Sequence, residues 1–439
     1  MRTLAEWLTL HESVHPKSID LGLARIGTVA RALGLVELAF PVITVAGTNG
    51  KGSTVAHLEA LLRSLGACPG IFTSPHFIRY NERIRIDGRE VADTELIGAF
   101  ERIEAARGAV TLTFFEYSTL AALLIFAGRA VDVAVLEVGL GGRLDATNLV
   151  SADVAVLASV GFDHRDWLGD TLDLIGAEKA GIFRAARPAV LGTPDMPASV
   201  FASLASSGAQ AIVAEREFRW QVGSGSWDYY GLDVTLQGLP PSALAGSIQY
   251  RNAATALAAV EALRGDATAR APLRALQRRL AALDRPHAAA ALERVQLPGR
   301  FQIVPGAVEW ILDIAHNEPA ARVLATLLRE RPLPAATGGV RGRTLAVIGV
   351  LADKDAAAIG AALAPVIDHW IVCTLTGPRG TSAAELAARL ALPAPTFELA
   401  ASVPAGLELA RLAARDGDRI VVCGSFFTVG PALKWLRIY

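Results

Sequence analysis

This sequence predicts an α/β protein whose mainly parallel sheets are covered by helices, and two observations carry that expectation. Short β-branched runs alternate with Ala/Leu-rich helical stretches along the chain, and the runs are apolar at successive positions, as strands buried on both faces must be. With 439 residues, the chain has room for two domains or more.

The strand-like runs are VITVA at 42–46, DVAVLEV at 132–138 and DVAVLAS at 153–159, then VEWILDI at 308–314, TLAVIGV at 344–350, HWIVCTL at 369–375 and RIVVCG at 419–424. Helical runs at 52–65, 173–184, 318–331 and 403–415 lie between them. A domain boundary is expected near 286–300, where Ala/Leu/Arg-rich helical sequence ends and Pro298 and Gly299 break the pattern. The stretch 222–247, rich in Pro, Gly and Ser, reads as an irregular or β-rich excursion of the first domain.

Composition narrows the function classes. The formal net charge is −1, so no global basic field recruits nucleic acid or a membrane surface. The three cysteines, Cys68, Cys373 and Cys423, are far apart and have neither metal-ligand nor redox spacing. Such sparse cysteine suits a reducing compartment. The N-terminal residues lack the basic and apolar regions of a signal peptide. No uncharged apolar run reaches the ~18 residues of a membrane span. The expectation is a cytoplasmic protein, monomeric, with no nucleic-acid or membrane partner.

Chemistry enters at residues 47–53, where strand 42–46 leads through Gly47-Thr48-Asn49-Gly50-Lys51-Gly52-Ser53 into a helix. Backbone N–H groups and the dipole of a helix N-terminus make an anion site, and a loop lysine adds a cation for the outer phosphates of a nucleotide. The strict nucleotide motif has Gly where Val45 stands and Ser or Thr where Gly52 stands, so this is a variant. The plain alternative is a glycine-rich turn with a surface lysine.

GTNGKGS resembles the loop of the Mur ligase superfamily, in its folylpolyglutamate synthase and dihydrofolate synthase branch. Further segments carry the same resemblance: IDLG at 19–22, TSPHFIRYNERIRIDG at 73–88, FFEYSTLAA at 114–122, LEVGLGGRLDATN at 136–148 and DHRDWLGDTLDLIGAEKAGIF at 163–183. PGRFQ at 298–302, DIAHN at 313–317, ADKD at 352–355 and CGSFFTV at 423–429 follow in the family's order. The resemblance implies an N-terminal P-loop-type ATPase domain with a mainly parallel sheet over 1–290, binding ATP and pterin. A smaller C-terminal Rossmann-like α/β glutamate-ligase domain is implied over 298–439.

It also implies sites. Metal ligands fall on Ser74, Glu137 and His164. Glu137, at the end of an apolar strand before Gly139, Gly141 and Gly142, suits magnesium, which prefers oxygen. His164 is the least ordinary ligand for so hard an ion. Read alone, these three are a turn residue, a strand-end acid and a structural histidine. Nucleotide contacts fall on Gly47, Thr48, Asn49, Gly50, Lys51, Asn252, Arg300 and Asp313, with His316 near the phosphates. Asn252, Arg300 and Asp313 read alone as a helix cap, an ion-pair arginine and a strand-end acid. The family often has proline after the HN pair, whereas here Glu318 precedes Pro319.

Pterin-side contacts map to Ser18, Ile19, Asp20 and Leu21, to Thr113, Phe114, Phe115 and Glu116, and to Leu144, Asp145 and Ala146. The phenylalanines suit the walls of a flat-ring pocket and otherwise read as core, while Asp20, Glu116 and Asp145 are candidates for the ring nitrogens. Lys179 reads as a surface helix lysine, but it falls where the family carries a carbamylated, metal-supporting lysine.

The activity implied is ATP- and magnesium-dependent ligation of L-glutamate to dihydropteroate or a reduced folate, through an acyl phosphate. Potassium is an additional candidate cation. Lys51, His164 and Lys179 are the implied catalytic residues, and closure of the two domains around ATP is expected to exclude water. Two narrower alternatives stand beside this one: a folylpolyglutamate synthase without dihydropteroate activity, and another Mur-type ligase acting on a cell-wall precursor. From another class, a nucleotide-switched signalling protein would not need a second α/β domain.

Overall fold

The computed structural model describes residues 2–17, 19–266, 271–334, 341–392 and 396–439. Two compact units emerge. One comprises Met1–Gly161, Leu168–Ala243 and Gln249–Gln296, and the other Phe162–Trp167, Leu244–Ile248 and Leu297–Tyr439.

The first unit is built on an eight-stranded sheet. Its strands run in the order Arg89–Glu90, Ile84–Ile86, Pro69–Phe72, Val133–Glu137, Val42–Ala46, Val154–Leu157, Pro188–Leu191 and Gln210–Val213. All pairings are parallel except those joining the first three strands. Val42–Ala46 is buried at every position, as its β-branched, almost wholly apolar sequence suits in a central strand. It lies between Val133–Glu137 and Val154–Leu157, where the strand order reverses direction. The crevice beyond the carboxyl ends of such strands is where open α/β sheets bind ligands.

The stretch expected to be irregular or β-rich forms a three-stranded antiparallel sheet of Arg219–Val222, Trp227–Tyr230 and Thr235–Leu239. Trp227 and Tyr229 point from it into the core that also holds Leu257 and Val260 of helix Ile248–Gly265.

The second unit has a six-stranded sheet. Its order is Gln302–Val304, Glu309–Asp313, Arg419–Cys423, Thr344–Ile348, His369–Cys373 and Phe397–Ala400, antiparallel only at the first pair. The four predicted strands match it within two residues at each end. Both units are thus the mixed, parallel-dominated α/β layers that the alternating pattern predicts.

Helix starts follow local chemistry. Thr171 caps Leu172–Ala180 and Asn317 caps Glu318–Glu330 through their side-chain oxygens. Pro319 therefore sits in the first helical turn, where no donor is required of it, so Glu318 is accommodated as the first helical residue.

Candidate active site

The glycine loop occupies the carboxyl end of Val42–Ala46 and opens helix Lys51–Ser64. Gly50 adopts the left-handed conformation at φ 85°, and a Cβ there would lie 3.1 Å from the Asn252 Oδ1. Glycine is thus required by both backbone and space. Asn252 is no helix cap. It lies buried within the first turns of Ile248–Gly265, donates to Gln249 Oε1 at 3.0 Å and faces the loop. The loop is pinned to the neighbouring strand end: Thr48 N donates to Ser159 O at 2.8 Å, Asn49 N to Ser159 Oγ at 3.2 Å, and Thr48 Oγ1 to Gly161 O at 3.0 Å. Lys51 folds back across it, its Nζ donating to Gly47 O at 2.8 Å and Thr48 O at 3.2 Å. A cation, a left-handed glycine and a helix N-terminus converge at one place.

Register brings a carboxylate beside this loop. Val45 pairs with Glu137 across adjacent parallel strands, so the acid ends one strand over from the phosphate-binding turn. Glu137 is buried, and its Oε2 accepts from Ser74 N at 3.2 Å. Ser74 and Glu137, two of the implied metal residues, are therefore adjacent. A carboxylate and a neighbouring hydroxyl are the hard oxygen donors magnesium takes, and that ion commonly keeps several waters. Among the described residues no group of three or more His, Cys, Asp or Glu is arranged to hold a metal.

Lys179 differs from the surface reading: it is 5% exposed, in the last turn of Leu172–Ala180. That helix end packs on the turn after Glu137. Arg143 N donates to Glu178 O at 2.8 Å, and a Cβ on Gly142 would lie 2.7 Å from Lys179 O. The glycines of LEVGLGG thus bring the Lys179 backbone against the segment that carries Glu137.

The three pterin-side segments also meet. Gly22 N donates to Leu144 O at 3.3 Å, and Arg25 links Asp20 at 2.6 Å with Glu116 at 3.2 Å. Phe114 and Phe115 are half-buried, with Phe115 over Gly139 and 5.6 Å from Phe72 between ring centres. The acids are engaged within the protein. Glu116 closes a capping box with Thr113, accepting from its N–H at 2.8 Å. Asp145 accepts from Thr147 N and Leu140 N, both at 2.9 Å, and burial pushes its carboxyl above the usual range. Asp20 also meets His15 Nε2 at 3.1 Å. Ile19, Leu21 and Leu144 are half-buried and Ala146 is buried, while Ser18 lies outside the described residues.

In the second unit, Asp313 ends strand Glu309–Asp313 and accepts from Phe301 N and Ala315 N, both at 2.8 Å. Burial raises its carboxyl, opposed by the charge of Arg300. Arg300 itself lies 5.7 Å from the Phe426 ring centre. His316 Nδ1 meets Ile314 O at 2.8 Å, which fixes the ring beside this turn. His164, with φ 50°, follows Asp163, an acid that Lys354 Nζ approaches to 2.6 Å, Asn317 Nδ2 to 2.9 Å and His316 Nε2 to 3.5 Å. Burial would raise the Asp163 carboxyl, but hydrogen bonding from His316 and the charges of His164 and Lys354 hold it well below the carboxylate range.

Comparison with known proteins accounts for both units. Residues 45–217 match the Mur ligase middle domain, and residues 299–426 the glutamate ligase domain of Mur ligases. The dihydrofolate synthase/folylpolyglutamate synthase of Escherichia coli (strain K12) is 42% identical over 98% of this chain and 95% of its own. This chain belongs to that family of Mur ligases. Escherichia coli FolC in complex with DHPP and ADP superposes with a TM-score of 0.89 at 40% identity, covering 100% of this chain and 98% of the other. A bifunctional folylpolyglutamate synthase/dihydrofolate synthase with Mn, AMPPNP and L-glutamate bound gives 0.86 at 39% identity, covering 100% and 98%.

Several residues that order these segments were not singled out in the sequence. Arg25 and His15 order the IDLG segment, and Lys354 and Asn317 share Asp163, yet each lies far along the chain from its partner or in an unremarkable context.

Proposed function

We propose that this chain joins L-glutamate to 7,8-dihydropteroate and to tetrahydrofolate (poly)glutamates, hydrolysing ATP to ADP and phosphate. The observation that carries this reading is the Val45–Glu137 register, which sets a carboxylate one strand from the Gly47–Lys51 loop. The proposed phosphate-binding loop and Glu137, the proposed metal ligand, lie at one sheet end, which supports the reading.

A carboxylate does not condense with an amine at neutral pH without a leaving group. In the proposed course, an acceptor carboxylate oxygen attacks the γ-phosphorus, the bond to the β–γ bridging oxygen breaks, and ADP departs. The amine of glutamate then adds to the acyl-phosphate carbonyl, loses a proton, and phosphate leaves with the carboxylate oxygen. Magnesium held by Ser74, Glu137 and His164 would neutralise phosphate charge when bound. Lys51 and the loop N–H groups hold the outer phosphates where charge develops, so catalysis is chiefly positioning and electrostatics. Asn252, Arg300, Asp313 and His316 serve the nucleotide, and Phe114 and Phe115 wall the acceptor ring. The test is product analysis by mass spectrometry with ATP, magnesium, glutamate and either acceptor. Amide formation with both acceptors is expected, and turnover of tetrahydrofolate alone would remove dihydropteroate from the assignment.

Lys179 is read as carbamylated: its neutral amine adds to carbon dioxide and releases a proton, replacing a cation by a carboxylate. Its burial against the turn after Glu137 supports this, since a bare ammonium would repel a nearby dication. Carbon-13 NMR on enzyme equilibrated with labelled bicarbonate should show a carbamate signal that is absent in Lys179→Ala, and no difference would refute it. The free, widely separated thiols of Cys68, Cys373 and Cys423 support a cytoplasmic location.

A further inference from the structure

Arg83 is a buried guanidinium with an open fork. The side chain is 8% exposed and lies 5.3 Å from the Phe114 ring centre and 5.6 Å from that of Tyr80. Its Nε donates to His76 Nδ1 at 2.8 Å. Its Nη1 and Nη2 donate to no described residue, yet neither is among the sealed, unsatisfied polar atoms, so the small remaining exposure includes the fork. The backbone places that fork well. Arg83 O accepts from Thr73 N at 2.9 Å, one residue before Ser74, and Ile84 pairs with Phe72, whose ring faces Phe115. Glu137 lies within electrostatic reach. The guanidinium therefore lies against the Tyr80 and Phe114 rings, on a backbone bonded to the residue before Ser74 and within the field of Glu137.

Burying a guanidinium is unfavourable unless a partner repays its lost hydration. The ring faces and one histidine nitrogen satisfy part of it and leave two parallel donors, the geometry that matches a carboxylate. We infer that Arg83 binds the reacting carboxylate of the acceptor through its two terminal nitrogens and directs it toward the phosphate-binding loop, with His76 as the positioning residue that holds the guanidinium plane. This inference rests on the acceptor reading proposed above. Because Arg83 carries its charge at all working pH values, its Nε–H donates and His76 Nδ1 accepts, so the imidazole fixes the arginine without competing for the ligand.

The decisive experiment crosses two changes. Affinities of dihydropteroate and of its analogue lacking the carboxylate are measured for the wild type and for Arg83→Met, which keeps an unbranched chain between the rings. A charge-assisted pair should make the wild type prefer dihydropteroate by roughly 10- to 100-fold. Arg83→Met should erase most of that preference and leave the analogue's affinity within a few-fold. Arg83→Lys, a milder change should methionine disturb folding, should keep part of the preference but lower kcat more than it raises KM, because a point charge lacks the fork. Equal weakening of both ligands in a folded Arg83→Met would show a packing role and overturn the inference, as would an unchanged preference. Wild-type protein that neither binds dihydropteroate nor converts it would instead overturn the acceptor reading, and this assignment with it.

Discussion

Replacing Lys51 with alanine removes a side-chain cation that folds across the Gly47–Gly50 turn, while the Arg251 guanidinium beside Gly50 remains. The turn is set by Gly47 and Gly50 and by the contacts of Thr48 and Asn49 with Ser159 and Gly161, none of which involves the lysine side chain. Alanine is also a better helix former than lysine at the first residue of Lys51–Ser64. The lost bonds to Gly47 O and Thr48 O, at 2.8 and 3.2 Å, are half-buried, so stability should fall by only about 1–2 kcal/mol. The effect on the reaction is larger. A preorganised donor aimed at developing charge is worth about 3–4 kcal/mol of transition-state stabilisation, so kcat should fall by roughly 10²- to 10³-fold or more. Steady-state amide formation, with thermal unfolding as the control for folding, reads both numbers. A folded Lys51→Ala variant with kcat within a few-fold of wild type would refute the transition-state role. A raised KM for ATP with unchanged kcat would reassign Lys51 to ground-state binding.

Three further outcomes are expected. Glu137→Gln should raise the magnesium concentration needed for half-maximal activity by at least roughly tenfold, the low end for groups that merely support a ligand, and an unchanged requirement would remove Glu137 from the site. Glu309 accepts from Arg419 Nε at 2.9 Å and Arg331 Nε at 2.8 Å, and Arg419 is 1% exposed, so Glu309→Ala should destabilise the second unit by about 3 kcal/mol: the buried guanidinium loses its carboxylate, although its terminal nitrogens keep the carbonyls of Leu328, Arg331 and Pro332. A denaturation midpoint like that of wild type would contradict this. His11 is buried with both ring nitrogens unpartnered and stacked on Tyr117 at 3.8 Å, and burial pushes its imidazole from 6.5 down to about 4. The unfolded chain then binds more protons than the folded one, so stability is full above about 6.5 and is lost as pH falls toward about 4. His57, also pushed down to about 4, acts in the same window, so His11→Leu should reduce but not remove the slope, and an unaltered slope would exclude His11.

Much of the fold was written in local pattern. Val42–Ala46, Thr344–Ile348 and Arg419–Cys423 are short β-branched, mostly apolar runs, and such runs have few other uses than central strands. Pro69–Phe72 was not legible, because Pro69-Gly70 reads as a turn. It is a strand because Gly70 makes room for the Phe126 ring, 2.6 Å from where a Cβ would sit. The glycine loop and Glu137 were readable because strand, turn and helix are contiguous in sequence. Lys179 was not: its burial depends on Gly142, 37 positions earlier, letting two backbones meet. The same holds for Arg83, whose meaning comes from Phe114 and His76, and for Asp163, whose partners arrive from Asn317 and Lys354. Side chains whose role is set by distant neighbours carry no local signal: Glu116, proposed to meet the ligand ring, also closes a capping box and pairs with Arg25, and neither contact is legible as part of a binding site.

The central claim is that the acceptor carboxylate is phosphorylated before it meets glutamate. Dihydropteroate labelled with oxygen-18 in its carboxylate, incubated with the enzyme, ATP, magnesium and L-glutamate, tests this directly. One labelled oxygen should appear in inorganic phosphate for each amide formed, because the phosphate leaves with the carboxylate oxygen. Amide formation with unlabelled phosphate, or ATP hydrolysis without any amide, would contradict the account.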